Sequence, residues 1–234
     1  MELTSTTTVP SDHPRVSGTV TLLHRRRFAV GIDVGQAHDP TAICVASRID
    51  TAPLNPLLKG IVPKSQRYEV LHLERLPLGM AYPRQVDHIE RLLQRAPLAQ
   101  VRPAVLLDFT GVGRPVFDMF RELPALRRAQ GVVITGGRET NTTDAGWSVP
   151  KGELVSKLQA LLHSGEMKIA ASLPDAAVLA RELQDFRVRF TESGNATFNA
   201  REGAHDDLVL ALALAVFGLS RPELAKTLRV SWTR

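Results

Sequence analysis

The stretch Phe28-Ala29-Val30-Gly31-Ile32-Asp33-Val34-Gly35 limits the folds open to this chain more than any other. Its apolar residues read as a buried strand, and a buried strand does not tolerate a bare carboxylate. An ionised Asp in an apolar setting either takes up a proton or acquires a cation. Asp33 therefore needs a partner. Alternate strand residues point to opposite faces, so Val30, Ile32 and Val34 share one side and Ala29, Gly31, Asp33 and Gly35 the other. The small residues on the Asp33 side leave room for a ligand to approach. The plainer alternative is a strand-end Asp closing an Asx-turn.

Two more acidic sites recur in similarly apolar settings. Asp108 ends Ala104-Val105-Leu106-Leu107 and precedes Phe109-Thr110-Gly111-Val112-Gly113. It reads as a loop acid at a strand's C-terminal end, which is also where open α/β sheets bind ligands. Asp206 and Asp207 open the apolar run from Leu208 to Phe217. Acids at a helix start cap it and meet the positive end of its dipole. Adjacent helical residues point about 100° apart, so one acid can cap while the other faces a site. His205 reads equally as a ligand or as a surface histidine. Taken together, the three acidic sites point to divalent metal. Mg²⁺ and Mn²⁺ take oxygen ligands from a few carboxylates and complete their shells with water and phosphate. Two such ions about 3.5–4 Å apart can activate a water and stabilise the leaving oxygen in phosphodiester hydrolysis.

The patterns around these acids predict a mixed α/β fold. Strands are expected at 28–34 and 41–47, joined as a hairpin, and at 68–76, where polar and apolar residues alternate. Three consecutive strands with short links make an antiparallel meander; Pro53, Pro56 and Pro63 mark 50–65 as a surface loop. A helix at 84–95, a covered strand at 103–109, a helix after Gly113 and a strand at 131–135 then follow, implying parallel crossovers. Residues 136–149 read as a polar loop. Helices are expected from Pro150 to about His163 and from about Pro174 to Phe186. A hairpin is expected to turn at Ser193-Gly194-Asn195, and a last, wholly buried helix to run from about His205 to Leu219. The organisation expected is a flexible arm at 1–27, rich in Ser, Thr and Pro, one domain at 28–220 and a short tail at 221–234.

Composition narrows the setting. The 234 residues suffice for one large domain. Cys44 is the single cysteine, which excludes an internal disulfide and a cysteine zinc site. No apolar run reaches the ~18–20 residues of a membrane span, and the start of the chain lacks a signal-peptide pattern. A cytoplasmic location is expected. The net charge of +5 leans towards a polyanionic partner. The basic run Arg25-Arg26-Arg27 reads as a solvated tether or a phosphate contact.

Three segments together resemble a known family: Gly31-Ile32-Asp33-Val34-Gly35, then Leu107-Asp108-Phe109-Thr110-Gly111-Val112-Gly113, then His205-Asp206-Asp207-Leu208-Val209-Leu210-Ala211-Leu212-Ala213. In order, spacing and context they are similar to the C-terminal nuclease domain of phage terminase large subunits, a ribonuclease H-like fold shared with RuvC-type resolvases. Asp39-Pro40-Thr41-Ala42 also resembles the acid-plus-Thr-Ala stretch that follows the first Asp of those nucleases. The resemblance covers residues 28–219. It implies a five-stranded mixed sheet flanked by helices, and an endonuclease that cuts double-stranded DNA with two Mg²⁺ or Mn²⁺ ions, leaving a 5′-phosphate and a 3′-hydroxyl. Asp33 would bridge the ions, Asp108 would hold one and Asp207 or Asp206 the other, with Asp39 as an accessory ligand. The implied partners are a separate packaging ATPase, a small terminase subunit or a portal, in a host cell's cytoplasm. The chain departs from the family in carrying no Gly-x4-Gly-Lys-Ser/Thr loop, so motor activity does not carry over.

Basic residues offer secondary support for DNA binding. Arg187 and Arg189 share a strand face, and Lys151 stands at a helix start where the dipole disfavours a cation. Each reads either as a phosphate contact or as ordinary surface. Trp147 reads as a base-stacking platform or as an anchor for its loop. Competing functions are a RuvC-type Holliday-junction resolvase, which needs a dimer, an actin-like kinase or ATPase, whose first phosphate loop Gly31–Gly35 also resembles, and a non-catalytic nucleic-acid-binding module.

Overall fold

In a computed structural model, the residues described are 2–11, 16, 18–35, 39–58, 64–111, 113–185, 187–190, 196–199 and 206–221. In chain order the elements are β1 (Leu3–Pro10), β2 (Thr19–Asp33), β3 (Ala42–Pro53), β4 (Ser65–Arg75), α1 (Tyr82–Leu93), β5 (Ala104–Asp108), α2 (Gly113–Glu122) and β6 (Gln130–Thr135). They continue with β7 (Asn141–Thr143), β8 (Gly146–Pro150), α3 (Lys151–His163), β9 (Met167–Ile169), α4 (Ala176–Asp185), β10 (Arg187–Phe190), β11 (Ala196–Asn199) and α5 (Asp207–Ser220).

One mixed sheet runs β7-β8-β6-β5-β2-β3-β4-β9, with β1 laid along β2. The five strands expected from periodicity are β2 to β6, and they form its centre in the order β6-β5-β2-β3-β4. β2, β3 and β4 make the antiparallel meander. β5 joins β2 in parallel, and β6 joins β5 likewise. The sheet has nine strands rather than five because short or polar strands extend it. β8 and β7 occupy much of 141–150, which reads as a loop for want of apolar alternation. β9 is a three-residue strand on the far edge.

The segment before residue 28, expected as an arm without regular structure, forms strands. β1 pairs antiparallel with the first part of β2, from Leu3 opposite Arg26 to Pro10 opposite Thr19. Every β1 residue is exposed, so no alternation betrays the strand; its β-branched threonines favour the extended form. β3 likewise continues past the expected hairpin to Pro53. Arg26 pairs with Glu69, and Arg27 with Asp50 at 3.2 Å. The basic run is thus held on neighbouring strands and is not a tether.

The sheet is covered on both faces, which is why its central strands read as continuous apolar runs. Val30 and Ile32 of β2, with Val34 just after it, pack with Val86, Ile89 and Leu92 of α1 and with Val116, Phe117 and Phe120 of α2. On the other face Ala29, Cys44, Ala46, Tyr68 and Leu73 pack with α5 and with Leu154, Val155, Leu158 and Leu161 of α3. α5 is buried from Asp207 through Leu219, as its lack of charge after Asp207 predicts. Among the described residues no helix is long and apolar enough to cross a membrane. β10 and β11 form a separate antiparallel ribbon, in line with the expected hairpin. The turn at 193–195, His205 and the tail beyond Arg221 lie outside the described residues.

Candidate metal centre

The small residues beside Asp33 form a slot for a helix. A β-carbon on Gly31 would overlap the carbonyl oxygen of Ala211 and lie 2.5 Å from the Ala215 nitrogen. Gly218 continues the same contact, packing on Leu106 and Ala29. Ala211, Ala215 and Gly218 are spaced at i, i+4 and i+7, a single stripe on α5. Asp207 extends that stripe by one turn, about 6 Å at 1.5 Å per residue. Asp33 stands two strand residues beyond Gly31, about 6.6 Å along β2. The close approach of backbones at Gly31 therefore delivers Asp207 to Asp33. The space expected to admit a ligand along this face is instead occupied by α5, and only the acidic end is left for one.

Asp108 reaches the same place from the end of β5, beside the end of β2. Its Oδ1 accepts the backbone N–H of Thr110 at 2.8 Å, an Asx-type turn that orients the carboxyl. Gly113 lets α2 start directly against this turn, since a β-carbon there would overlap the Asp108 carbonyl. Asp206 occupies the N-cap position of α5 without a side-chain capping hydrogen bond. It takes instead the Nζ of Lys151 at 2.8 Å, from the first residue of α3. The plain capping reading of Asp206 is thereby replaced by an ion pair at the site.

The four carboxylates act on one another. Burial holds the Asp33 carboxyl well above the usual range, and Asp108, Asp207 and Asp206 raise it further while Lys151 pulls it down. Burial also raises Asp108, opposed by its Thr110 hydrogen bonds, by Lys151 and by a hydrogen bond from Asp33. Crowding of these acids favours any cation that enters among them. Among the described residues no three acidic, imidazole or thiol groups are preset in a finished ligand geometry. The donor set nevertheless fits Mg²⁺ or Mn²⁺, being all carboxylate, and crowded enough that a cation relieves its repulsion.

The large terminase nuclease from thermophilic phage G20c, solved with bound magnesium, matches with a TM-score of 0.51 at 22% identity over 81% of this chain and 80% of that one. The same nuclease with bound cobalt matches equally, with a TM-score of 0.51. The chain has the fold of a large-terminase nuclease. The mixed ribonuclease H-like sheet expected from the resemblance is therefore correct. In sequence, the terminase large subunits of Thermus phage G20c and Thermus virus P23-45 are each 37% identical over 65 residues, which is 28% of this chain. The match spans 13% of the length of either relative. No family model matches the chain.

On this terminase-nuclease fold the structure adds residues that the sequence did not single out. Arg75, the last residue of β4, reaches Asp207 Oδ2 at 3.2 Å and also pairs with Glu182 of α4. Glu182 is buried, and its Oε2 accepts the Val209 N–H at 3.1 Å, so it satisfies the start of α5. Burial pushes its carboxyl up to about 7, against the pull of Arg75 and of the α5 amides. No motif marks these two residues; an isolated Glu within a short amphipathic helix looks like surface.

The remaining expected residues are placed as follows. Asp39 is exposed on the turn after Gly35, and its backbone packs against Gly35. Arg187 and Arg189 lie two apart on β10. Trp147 donates from Nε1 to Gln130 at 2.6 Å and stacks edge-on against Phe217, with Arg221 over its ring. It anchors β8 to the core.

Proposed function

We propose that this chain is a divalent-metal-dependent DNA endonuclease, the nuclease part of a viral DNA-packaging terminase. The observation that carries this reading is the meeting of Asp33, Asp108 and Asp207 from three separate elements, where burial first and the neighbouring carboxylates next raise the Asp33 carboxyl well above its ordinary range. These three would hold two Mg²⁺ or Mn²⁺ ions, with Asp206 and Asp39 as further oxygen donors. Bound there, such ions supply an activated water and a stabilised leaving oxygen for phosphodiester hydrolysis, leaving a 5′-phosphate and a 3′-hydroxyl.

The chain's own side chains position and balance this centre. Lys151, kept beside the acids by Asp206, offers a cation to the phosphate next to the scissile bond. Arg187 and Arg189 of the β10–β11 ribbon would contact the DNA backbone and fix register without reading sequence. The substrate is double-stranded DNA, and the reaction takes place in the cytoplasm of a host cell. The relatives named as terminase large subunits support the packaging role. Its partners would be a packaging ATPase, a small terminase subunit or a portal.

The test is incubation of the purified chain with supercoiled plasmid and Mn²⁺ or Mg²⁺, beside EDTA and an Asp33→Asn variant. Nicking or linearisation that vanishes in both controls is the expected result. A folded chain that leaves plasmid intact across metals and DNA forms would overturn the reading.

A further inference from the structure

Arg75 stands two strands from Asp33, since Asp33 faces Ala42 across β2 and β3, and Ala42 faces Arg75 across β3 and β4. The origin of its side chain is fixed, because its backbone N–H donates to Asp175 Oδ2 at 3.1 Å. A single guanidinium nitrogen then contacts both Glu182 Oε1 and Asp207 Oδ2. Glu182 cannot follow Arg75 elsewhere, because its other oxygen is held by the Val209 amide. The side chains of Glu182 and Asp207 are only 5% and 8% exposed, and that of Arg75 22% exposed. One cation is thus divided between two buried carboxylates, in surroundings where charge is poorly screened.

We propose that Glu182 is a positioning residue that sets the metal affinity of the acid cluster, by holding Arg75 against itself and so leaving Asp207 open to a cation. The inference rests on the metal-dependent reading above and adds a device to it. Arg75 and a divalent ion compete for the same Asp207 oxygen. Whatever draws Arg75 towards Glu182 favours the ion, and whatever frees Arg75 favours the arginine. A merely structural Glu182, acting only as a cap on α5, predicts something different. Gln at 182 keeps an oxygen for the Val209 amide and would leave metal binding untouched.

Equilibrium binding of Mn²⁺ at pH 8, followed by the electron-paramagnetic-resonance signal of the free ion and without DNA, separates the two. Glu182→Gln is expected to weaken binding about tenfold, because Arg75 falls entirely to Asp207. Arg75→Gln is expected to tighten it severalfold, and the double variant to return within about twofold of the wild type. Thermal melting monitors the fold of each variant, and if Glu182→Gln does not fold, the sign of the Arg75→Gln effect decides. Wild-type binding with Glu182→Gln unchanged, or with Arg75→Gln weakened, overturns the inference alone. A wild-type chain that binds no Mn²⁺ overturns the metal reading and the inference with it.

Discussion

Gly31 and Ala211 touch backbone to backbone, with no space between them for a β-carbon. This contact sets the height of α5 on the sheet, and with it the place of Asp207 beside Asp33. Gly31→Ala should therefore act twice. Added volume against a backbone forces a shift that costs about 1–3 kcal/mol or more, and the shift carries Asp207 away from Asp33. Urea unfolding should show the loss of stability. Plasmid cleavage should fall at temperatures where the variant remains folded; full activity in a folded variant would contradict the placement of the helix.

Asp33→Asn should separate activity from stability. The amide cannot serve as an anionic ligand, so metal-dependent cleavage should drop below detection. The folded chain should melt no lower than wild type at pH 8 without metal, and somewhat higher, because the amide removes the cost of burying a carboxylate there and then the repulsion from Asp108, Asp207 and Asp206. A variant that melts lower would show that Asp33 supports the fold through contacts other than these.

Metal-free stability should fall as pH rises from about 4.5 towards 7. Glu182 is pushed up to about 7 from an ordinary 4.5, and Asp33 and Asp108 are also raised. A carboxyl raised in the folded state binds more protons folded than unfolded across that window, so deprotonation favours unfolding. Its contribution is complete below the unfolded value and lost as pH passes the folded one. Mn²⁺ should reverse the trend at the high end, and its apparent affinity should rise with pH as protons are released. Melting curves from pH 4 to 8, with EDTA and with Mn²⁺, test both signs.

Lys151→Ala should distinguish DNA contact from metal binding. Removal of the cation beside Asp206 should leave Mn²⁺ binding equal or tighter. DNA affinity should fall, with the salt dependence of log K reduced by about one phosphate contact. Weaker Mn²⁺ binding would instead make Lys151 an organiser of the acids.

Arg187→Ala with Arg189→Ala should weaken DNA binding similarly for unrelated sequences and lower the salt slope by about two contacts. A filter-binding salt titration reads this directly. Unchanged affinity would place the β10–β11 ribbon away from the substrate.

The central sheet was legible because its strands are covered on both faces and announce themselves as apolar runs. Asp33, Asp108 and the Asp206–Asp207 pair stood out because each interrupts such a run. What stayed hidden had no periodic signal. β1 is exposed on every residue, β7 and β9 are three residues long, and β8 is a five-residue strand buried only at Val149 and Pro150. Gly31 reads as an opening for a ligand, since a bare sequence cannot tell a vacant groove from one shaped for a helix. Arg75 and Glu182 carry no sequence signal for a related reason. Their significance lies in a distance across the fold, and neither stands near an acidic motif in the chain.

The separation of β2 from α5 in the chain has a bearing on synthesis. β2 leaves the ribosome with Asp33 well before α5 is made. Until α5 enters its slot at Gly31, the nascent polypeptide holds Asp33 and Asp108 without Asp207. On the function proposed above, an unfinished copy would lack a complete acid cluster, and its capacity to cut nearby DNA would arise only once translation has passed α5.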